Sequence, residues 1–313
     1  MKAHTLLLAA GLLAAAPLAA FAKIERVVEK SFTVQPGGLL TVETSGGNIR
    51  VETGTEPVVK VVAKESIRAG SESDADLVLK DLELTIEQDS TGVVAKAKYE
   101  KHFTGFHWGE WPPVQVSFVV TVPANYNTHL RTSGGDIGVG DLTGKVHART
   151  SGGNIALGKI SGDVDASTSG GDVKLTEGTA AVKLSTSGGN ITVERAVGPT
   201  DLDTSGGDIH IGSVENTLHA STSGGNVSAG IAGALKGDCT LGTSGGEVKV
   251  KVDRSAAFDL DASTSGGDVQ AAGLTITIDR GGMGKSRLAG KVNGGGPLLK
   301  LRTSGGDIRV KTE

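Results

Sequence analysis

The motif Thr-Ser-Gly-Gly recurs at regular spacing through most of the chain, and this repeat limits the possible folds more than any other feature. Its copies begin at Thr44, Thr132, Thr150, Thr168, Thr186, Thr204, Thr222, Thr243, Thr264 and Thr303. From Thr132 to Thr222 the copies start at a constant 18-residue interval, and the later intervals widen to 21, 21 and 39. Such a short, sustained period is typical of a stacked array, in which each unit buries its apolar side against its neighbours.

Two short runs of alternating apolar residues lie within each repeat. In one representative unit they are Ile137 with Val139, and Val146 with Ala148. A period of two predicts strands that point alternate side chains inward. Thr150 continues the second inward series, so the motif threonines are predicted to stack inside. Identical motifs at a constant period favour parallel stacking over an up-and-down antiparallel barrel.

The paired glycines of the motif predict a turn, since glycine reaches positive φ without steric cost. A second bend is predicted midway through each unit, where small residues recur at Gly144, Gly162, Ala180 and Gly198. Helices fit poorly, because each interior glycine would cost a helix about 1 kcal/mol. The predicted fold is all-β, a parallel β-solenoid of 18–21-residue coils, and the handedness of parallel connections favours a right-handed coil.

The residue after the glycines alternates between aspartate and asparagine. The column reads Asp136, Asn154, Asp172, Asn190, Asp208 and Asn226. Neighbouring coils are about 4.8 Å apart, so an unbroken aspartate column would repel itself. The alternation predicts a structural ladder in which amides hydrogen-bond between the carboxylates. Calcium-binding Gly-Asp repeats need a different spacing, so no metal is expected in this column.

These features resemble the bacterial putative-adhesin family, a family of domains of unknown function. Its members carry TSGGDI-like repeats after an N-terminal phrase like FTVQPGGLLTVETSGGNIRV, which here spans Phe32 to Val51. The resemblance implies a β-solenoid in an envelope or surface setting. No catalytic residues carry over from it.

Residues 1–22 have the composition of a secretory signal peptide. Lys2 precedes an apolar run, and Ala20 and Ala22 form a cleavage site, so the mature chain is expected to begin at Lys23. We expect an exported protein in the periplasm or at the cell surface, with no integral membrane segment after cleavage. Cys239 is the only cysteine, so no internal disulfide is possible. The net charge of −4 is mixed along the chain, which argues against nucleic acid as a partner.

The repeat divides the chain into three predicted parts. They are a signal peptide at 1–22, a β-rich N-terminal cap at 23–131 that includes the first motif, and a repeat domain at 132–313 interrupted at 274–297. Within the cap, strands are expected at 58–64, 82–87, 93–97 and 114–122, with a short helix near 73–82. The interruption is expected to form a loop or hairpin. Charges on the last strand, at Arg309, Lys311 and Glu313, are expected to discourage end-to-end pairing.

Six of the nine aromatic residues that follow the signal peptide lie between residues 99 and 118. They are Tyr99, Phe103, Phe106, Trp108, Trp111 and Phe118. The favoured interpretation is that these rings pack the cap onto the first coil. The alternative is a loop that presents a ligand-binding set to a glycan or protein. That set comprises Phe106, His107, Trp108 and Trp111. The nearby His102, Glu100 and Glu110 do not give His107 the spacing of a zinc site.

No catalytic constellation is visible in the sequence. Polysaccharide-cleaving β-helices place carboxylates at a defined separation on one wide face, whereas the outward residues here are small and mixed. We expect a non-enzymatic binding module or scaffold, without a cofactor or metal, whose partner is an envelope or surface glycan or protein. A β-helix polysaccharide lyase or hydrolase is the alternative.

Overall fold

The computed structural model describes residues 23–99 and 113–312, except for the side chains of residues 279 and 280. These residues contain one helix, α1 (Glu72–Leu79), and 27 strands. The first nine strands are β1 (Lys23–Thr33), β2 (Leu39–Glu43), β3 (Ile49–Gly54), β4 (Val58–Arg68), β5 (Leu82–Gln88), β6 (Gly92–Tyr99), β7 (Val114–Pro123), β8 (Asn127–Arg131) and β9 (Ile137–Val139). The next nine are β10 (Val146–Arg149), β11 (Ile155–Ile160), β12 (Val164–Ser167), β13 (Val173–Gly178), β14 (Val182–Ser185), β15 (Ile191–Ala196), β16 (Thr200–Asp203), β17 (Ile209–Val214) and β18 (Leu218–Ser221). The last nine are β19 (Val227–Ile231), β20 (Cys239–Gly242), β21 (Val248–Val252), β22 (Phe258–Thr264), β23 (Val269–Ala272), β24 (Ile276–Gly284), β25 (Arg287–Val292), β26 (Leu298–Thr303) and β27 (Ile308–Thr312).

The strands form two sheets that enclose one core. Sheet A has the order β1-β4-β7-β3-β9-β11-β13-β15-β17-β19-β21-β27-β23. Sheet B has the order β24-β25-β22-β26-β20-β18-β16-β14-β12-β10-β8-β2-β6-β5. Each motif-bearing coil gives one strand to sheet B, makes the motif turn, and gives the next strand to sheet A. The predicted parallel β-solenoid is confirmed, and its right-handedness stays a prediction.

Residues that lie one repeat apart in the sequence pair with each other on successive coils. Val146 pairs with Val164, and Val164 pairs with Val182. Alternate residues of these strands point inward, so the same position of every coil adds to one buried apolar column. The core is therefore continuous along the stack. Removal of this apolar surface from water is the main favourable contribution to folding.

The second motif glycine is required by close backbone packing. A Cβ on Gly189 would lie 2.0 Å from the carbonyl oxygen of Gly171, and the second glycine of every motif meets its neighbour at 2.0–2.2 Å. The first glycine is less confined, since a Cβ on Gly188 would lie 3.6 Å from its nearest neighbour. The motif glycines are absent from the described glycines with positive φ. The positive-φ explanation for the motif was therefore wrong, and lack of space for a Cβ is the physical reason.

The motif threonine connects each turn to the neighbouring coil on the N-terminal side of the stack. Thr150 is buried, and its Oγ1 donates a hydrogen bond to the carbonyl oxygen of Gly135 at 2.9 Å. The same hydroxyl accepts the N–H of Gly153 in its own motif at 3.3 Å. The bond to the neighbouring coil recurs at all ten motifs, at 2.7–2.9 Å. A buried hydroxyl is thereby satisfied in every coil, as burial of a polar group demands.

The N-terminal end of the stack does not follow the order of the chain. Strand β2 pairs in parallel with β8 on one side and with β6 on the other. Strand β3 likewise lies between β7 and β9. The coil formed by β6 and β7 is therefore outside the coil that precedes it in sequence. Antiparallel strands β5, β4 and β1 complete this end, and Ser71 caps α1 by accepting the N–H of Asp74 at 3.2 Å.

The C-terminal end shows the same inversion. Strand β26 lies between β20 and β22, and β27 lies between β21 and β23. The β24–β25 hairpin pairs antiparallel with β22 and covers the end of sheet B. The expectation that Arg309 and Lys311 protect the end of the stack was wrong, because their strand is enclosed by two parallel neighbours.

The two glycines of one motif provide a matched test of this packing. We expect Gly189→Ala to lower the free energy of unfolding by at least about 2 kcal/mol, because its methyl group would collide with a backbone carbonyl. Gly188→Ala should change it by less than about 1 kcal/mol, since its methyl group meets ordinary contact distances. Urea unfolding followed by circular dichroism measures both. Equal effects of the two substitutions would contradict the close-approach explanation.

Candidate functional site

A long groove follows the outer face of sheet B beside the second bend of the coils. It encloses about 720 Å³. Its lining runs across eight successive coils and consists of Leu39 with residues 127–129, 145–147, 163–165, 181–183, 199–201, 217–219, 238 and 240. Seven steps of about 4.8 Å give the groove a length of roughly 34 Å. It is therefore extended along the axis of the solenoid, perpendicular to the strands.

Each coil contributes a similar set of residues to this groove. The floor contains the first inward residue of each strand, such as Val164 and Val182, which are buried. Outward residues on the same strands supply polar side chains. At the bend, Ala181 and Pro199 take the places that Asp163 holds in a neighbouring coil. The groove therefore presents regularly spaced polar groups beside a buried column of Val, Leu and Thr side chains.

The outward polar groups form one column that follows the 18-residue repeat. The column consists of His129, His147, Asp165, Lys183, Asp201 and His219. Parallel pairing places each member beside the next on neighbouring strands. This column was not among the features predicted from the sequence. The repeat length itself was the signal that could have found it, because outward positions one repeat apart must be neighbours.

Two histidines lie together at one end of the column. The ring centroids of His129 and His147 are 4.6 Å apart, with a tilt of 31°. His147 Nδ1 lies 3.1 Å from Asp165 Oδ2, which Arg149 also approaches at 3.6 Å. Burial lowers the pKa of His129, and the nearby His147 lowers it further, while Glu43 acts in the opposite direction. His129 therefore favours the neutral imidazole.

The other end of the column is rich in carboxylates. Lys183 Nζ lies 3.8 Å from Asp201 Oδ2, and His219 Nε2 lies 3.9 Å from Asp203 Oδ1. Ligand atoms of Asp201, Asp203 and His219 all lie within 4.8 Å of one another. Among the residues that the structure describes, this is the one cluster of at least three His, Cys, Asp or Glu side chains close enough to hold a metal ion.

The Asx column lies at the motif edge, and its side chains bind backbone. The Asn154 N–H donates to Asp136 Oδ1 at 2.7 Å, and the Asp172 N–H donates to Asn154 Oδ1 at 2.8 Å. The pattern continues through Asn190, Asp208 and Asn226. An amide-to-carboxylate bond between side chains occurs from Asn226 to Asp208, at 3.2 Å. We propose that the column is a structural ladder, because either side chain supplies the oxygen that each N–H needs.

The column ends with three acidic residues on consecutive coils. Basic side chains nearby balance their negative charge. Their order in the stack is Glu247, Asp307 and Asp268. Arg309 bridges the first two, at 2.9 Å from Glu247 Oε2 and 2.7 Å from Asp307 Oδ2. Lys285 approaches Asp268 Oδ1 at 3.4 Å. Where the alternation with asparagine stops, neighbouring basic side chains supply the neutralising charge.

The aromatic set predicted to bind ligand lies outside the described residues. The set consists of Phe106, His107, Trp108 and Trp111. The described chain ends β6 at Tyr99 and resumes before β7 at Val114. These two strands belong to the outermost parallel coil at the N-terminal end.

The fold defines a class of protein, a two-sheet parallel β-solenoid with an open groove on one sheet. The chain belongs to the Toastrack DUF4097 family, whose model matches residues 39–311. That match begins at β2 and ends within β27. No curated protein matches the chain. Within residues 23–99 and 113–312, no helix is long and apolar enough to cross a membrane.

Solved bacterial structures of low sequence identity are similar to this chain. A putative adhesin from Parabacteroides merdae has 11% identity and a TM-score of 0.47, with 91% of this chain and 96% of that chain covered. A putative adhesin from Bacteroides fragilis has 11% identity and a TM-score of 0.38, with 92% and 97% covered. A putative lipid binding protein from Parabacteroides distasonis has 13% identity and a TM-score of 0.33, with 91% and 96% covered.

The lowered pKa of His129 predicts that acid weakens the fold. As pH falls below the ordinary histidine pKa of about 6.5, the unfolded chain binds protons more readily than the folded one, so stability decreases. Above that range both states hold a neutral imidazole, and the difference disappears. We expect His129→Gln to lose less stability than the wild type between about pH 7 and about pH 5, measured by urea unfolding. The control His210→Gln, on sheet A, should lose as much stability as the wild type over the same pH range. If His129→Gln and the wild type lost the same free energy of unfolding over this pH range, the interpretation would be contradicted.

Proposed function

We propose that the protein is an exported, non-enzymatic binding module of the cell envelope or surface, with an adhesin-like role. The observation that carries the proposal is the uninterrupted groove across eight coils of sheet B. Its volume is within the range of ligand sites, about 300–1,000 Å³, but it is distributed along an open face. This shape suits an extended polymer better than an enclosed small molecule. The signal-like residues 1–22 support export.

An envelope glycan is the ligand class that this chemistry favours. Hydroxyl groups of a glycan can donate to carboxylates and accept from ammonium and imidazole groups. The groove presents Asp165, Lys183, Asp201 and His219 on four successive coils. Repeated weak contacts along a polymer add up to a high overall affinity. A surface protein is the alternative partner.

The charge pattern of the groove supports binding without catalysis. A glycosidase needs one carboxylic acid with a raised pKa to protonate the leaving group. The hydrogen bond from Lys145 instead lowers the pKa of Asp163, and Asp165 is paired with His147. Burial does raise the pKa of Glu65, but this residue lies on β4, outside the groove. A polysaccharide lyase or hydrolase is the competing function.

The predicted aromatic set is proposed as a second contact region. Phe106, His107, Trp108 and Trp111 belong to the connection between β6 and β7, which is longer than a motif turn. Large rings bind sugars and proteins with little loss of conformational entropy. Exposed rings in this segment would extend the binding surface beyond the groove.

Binding to isolated envelope polysaccharide tests these proposals. We expect the groove variant His147→Ala/Lys183→Ala to bind at least about tenfold more weakly, because it removes two polar contacts of the groove. The matched control, Lys174→Ala/His210→Ala, changes outward residues of sheet A and should bind normally. Co-sedimentation at several protein concentrations measures both affinities. Equal binding by the two variants would remove the groove from consideration.

Two further arms of the same experiment separate the alternatives. Trp108→Ala/Trp111→Ala should weaken binding with little change in melting temperature, whereas a loss of about 3–5 kcal/mol in stability would show that these rings pack the cap. Polysaccharide incubated with the wild type should yield no new reducing ends or unsaturated products, with or without calcium. Turnover that Asp165→Asn abolishes would establish the enzyme instead.

A further inference from the structure

Two carboxylates and one imidazole meet on the outer face of sheet B. Asp201 of β16 pairs directly with His219 of β18, and Asp203 follows Asp201 by two residues on the same outward face. Asp203 Oδ1 lies 3.9 Å from His219 Nε2, and one ligand atom of each residue lies within 4.8 Å of the others. These separations are short enough for the three side chains to hold one metal ion.

The three groups are not committed to other partners within the described part of the chain. Asp201 has a distant ion pair with Lys183, at 3.8 Å, and none of the three side chains makes a hydrogen bond there. Other imidazoles on the coils are engaged, since His147 contacts Asp165 at 3.1 Å and His210 contacts Ser228 at 2.8 Å. The lone pairs of the Asp201, Asp203 and His219 group are therefore available to a ligand.

The backbone beneath this group is held in place by the core. Leu202 and Ala220 alternate with the three ligand residues and are buried. Parallel pairing of β16 with β18 sets the separation of Asp201 and His219. A site built on strands that are locked by packing holds its ligands with less loss of entropy than a site on a loop.

We propose that Asp201, Asp203 and His219 bind a divalent transition-metal ion, with zinc as the favoured ion. Imidazole and carboxylate together suit zinc, while calcium and magnesium prefer ligand sets made of oxygen alone. Three protein ligands leave at least one coordination position open. Asp201 and His219 line the groove, so an oxygen atom of a bound molecule could occupy that position. The metal site departs from the prediction that the protein holds no metal, and it does not depend on the proposed function.

Calorimetric titration of the chelator-treated, purified protein with zinc chloride tests the site. We expect saturable binding of one zinc ion per chain. His219→Ala and Asp203→Asn should each weaken it by at least about tenfold, because each removes a direct ligand. His210→Ala is the matched control on sheet A and should leave the affinity unchanged. Lys183→Ala should not weaken binding, since it removes the cation nearest Asp201.

A second readout separates the proposed site from nonspecific adsorption to carboxylates. Zinc should shift the imidazole nuclear magnetic resonance signals of His219 selectively, and a large excess of calcium should not reverse this shift. His219 and Asp203 lie on the exposed face of sheet B, so their substitution should leave the core intact. Melting curves without metal verify that the variants are folded. Absence of saturable zinc binding would overturn the proposal. Binding that His219→Ala leaves unchanged would also overturn it, because carboxylates alone would then be responsible.

Discussion

The close contact between successive motif turns is the constraint on which the rest of the structure depends. The second glycine of each motif approaches the carbonyl oxygen of the turn below so closely that no Cβ fits. This approach brings the threonine hydroxyl to the same carbonyl, as between Thr150 and Gly135, and brings each Asx oxygen to the next backbone N–H. Three contacts per turn therefore enforce one register. A slip of one residue would move every inward side chain to the solvent face.

That register also organises the surface. Because the repeat length is constant through the central stack, outward positions form straight columns along the axis, and chemically related groups become neighbours. The pair His129 and His147, and the cluster of Asp201, Asp203 and His219, arise in this way. The groove is thus a product of the repeat, and its chemistry varies from coil to coil while its shape persists. Such a surface offers polar groups at several points along its length.

The sequence predicted some levels of this structure better than others. Alternation such as Ile137 with Val139 predicted the inward columns, because burial of one face imposes a period of two. The reason for the glycines was misjudged, since crowding between coils is a tertiary effect that one repeat in isolation does not show. The inverted ends were also missed, because the motifs at Thr44 and Thr303 are the same as the central ones and carry no information about order. The groove was missed although the regular spacing of His129, His147 and Asp165 contained it. The aromatic set around Trp108 lies outside the described residues and stays a prediction.

Disulfide cross-linking between motif serines tests the register and the order of the coils most directly. In the structure the Gly305 N–H donates to the Ser244 carbonyl at 2.9 Å, so the motifs that begin at Thr243 and Thr303 are neighbours. In a Cys239→Ala background, Ser244→Cys with Ser304→Cys should form a disulfide, because neighbouring coils bring the Cα atoms to about 4.8 Å, within bridging distance. Ser244→Cys with Ser265→Cys should not, since these positions are two coils, or roughly 10 Å, apart. Mass spectrometry of the oxidised proteins decides between them. Efficient cross-linking of residues 244 and 265, with none between 244 and 304, would show a stack in sequence order and contradict the structure.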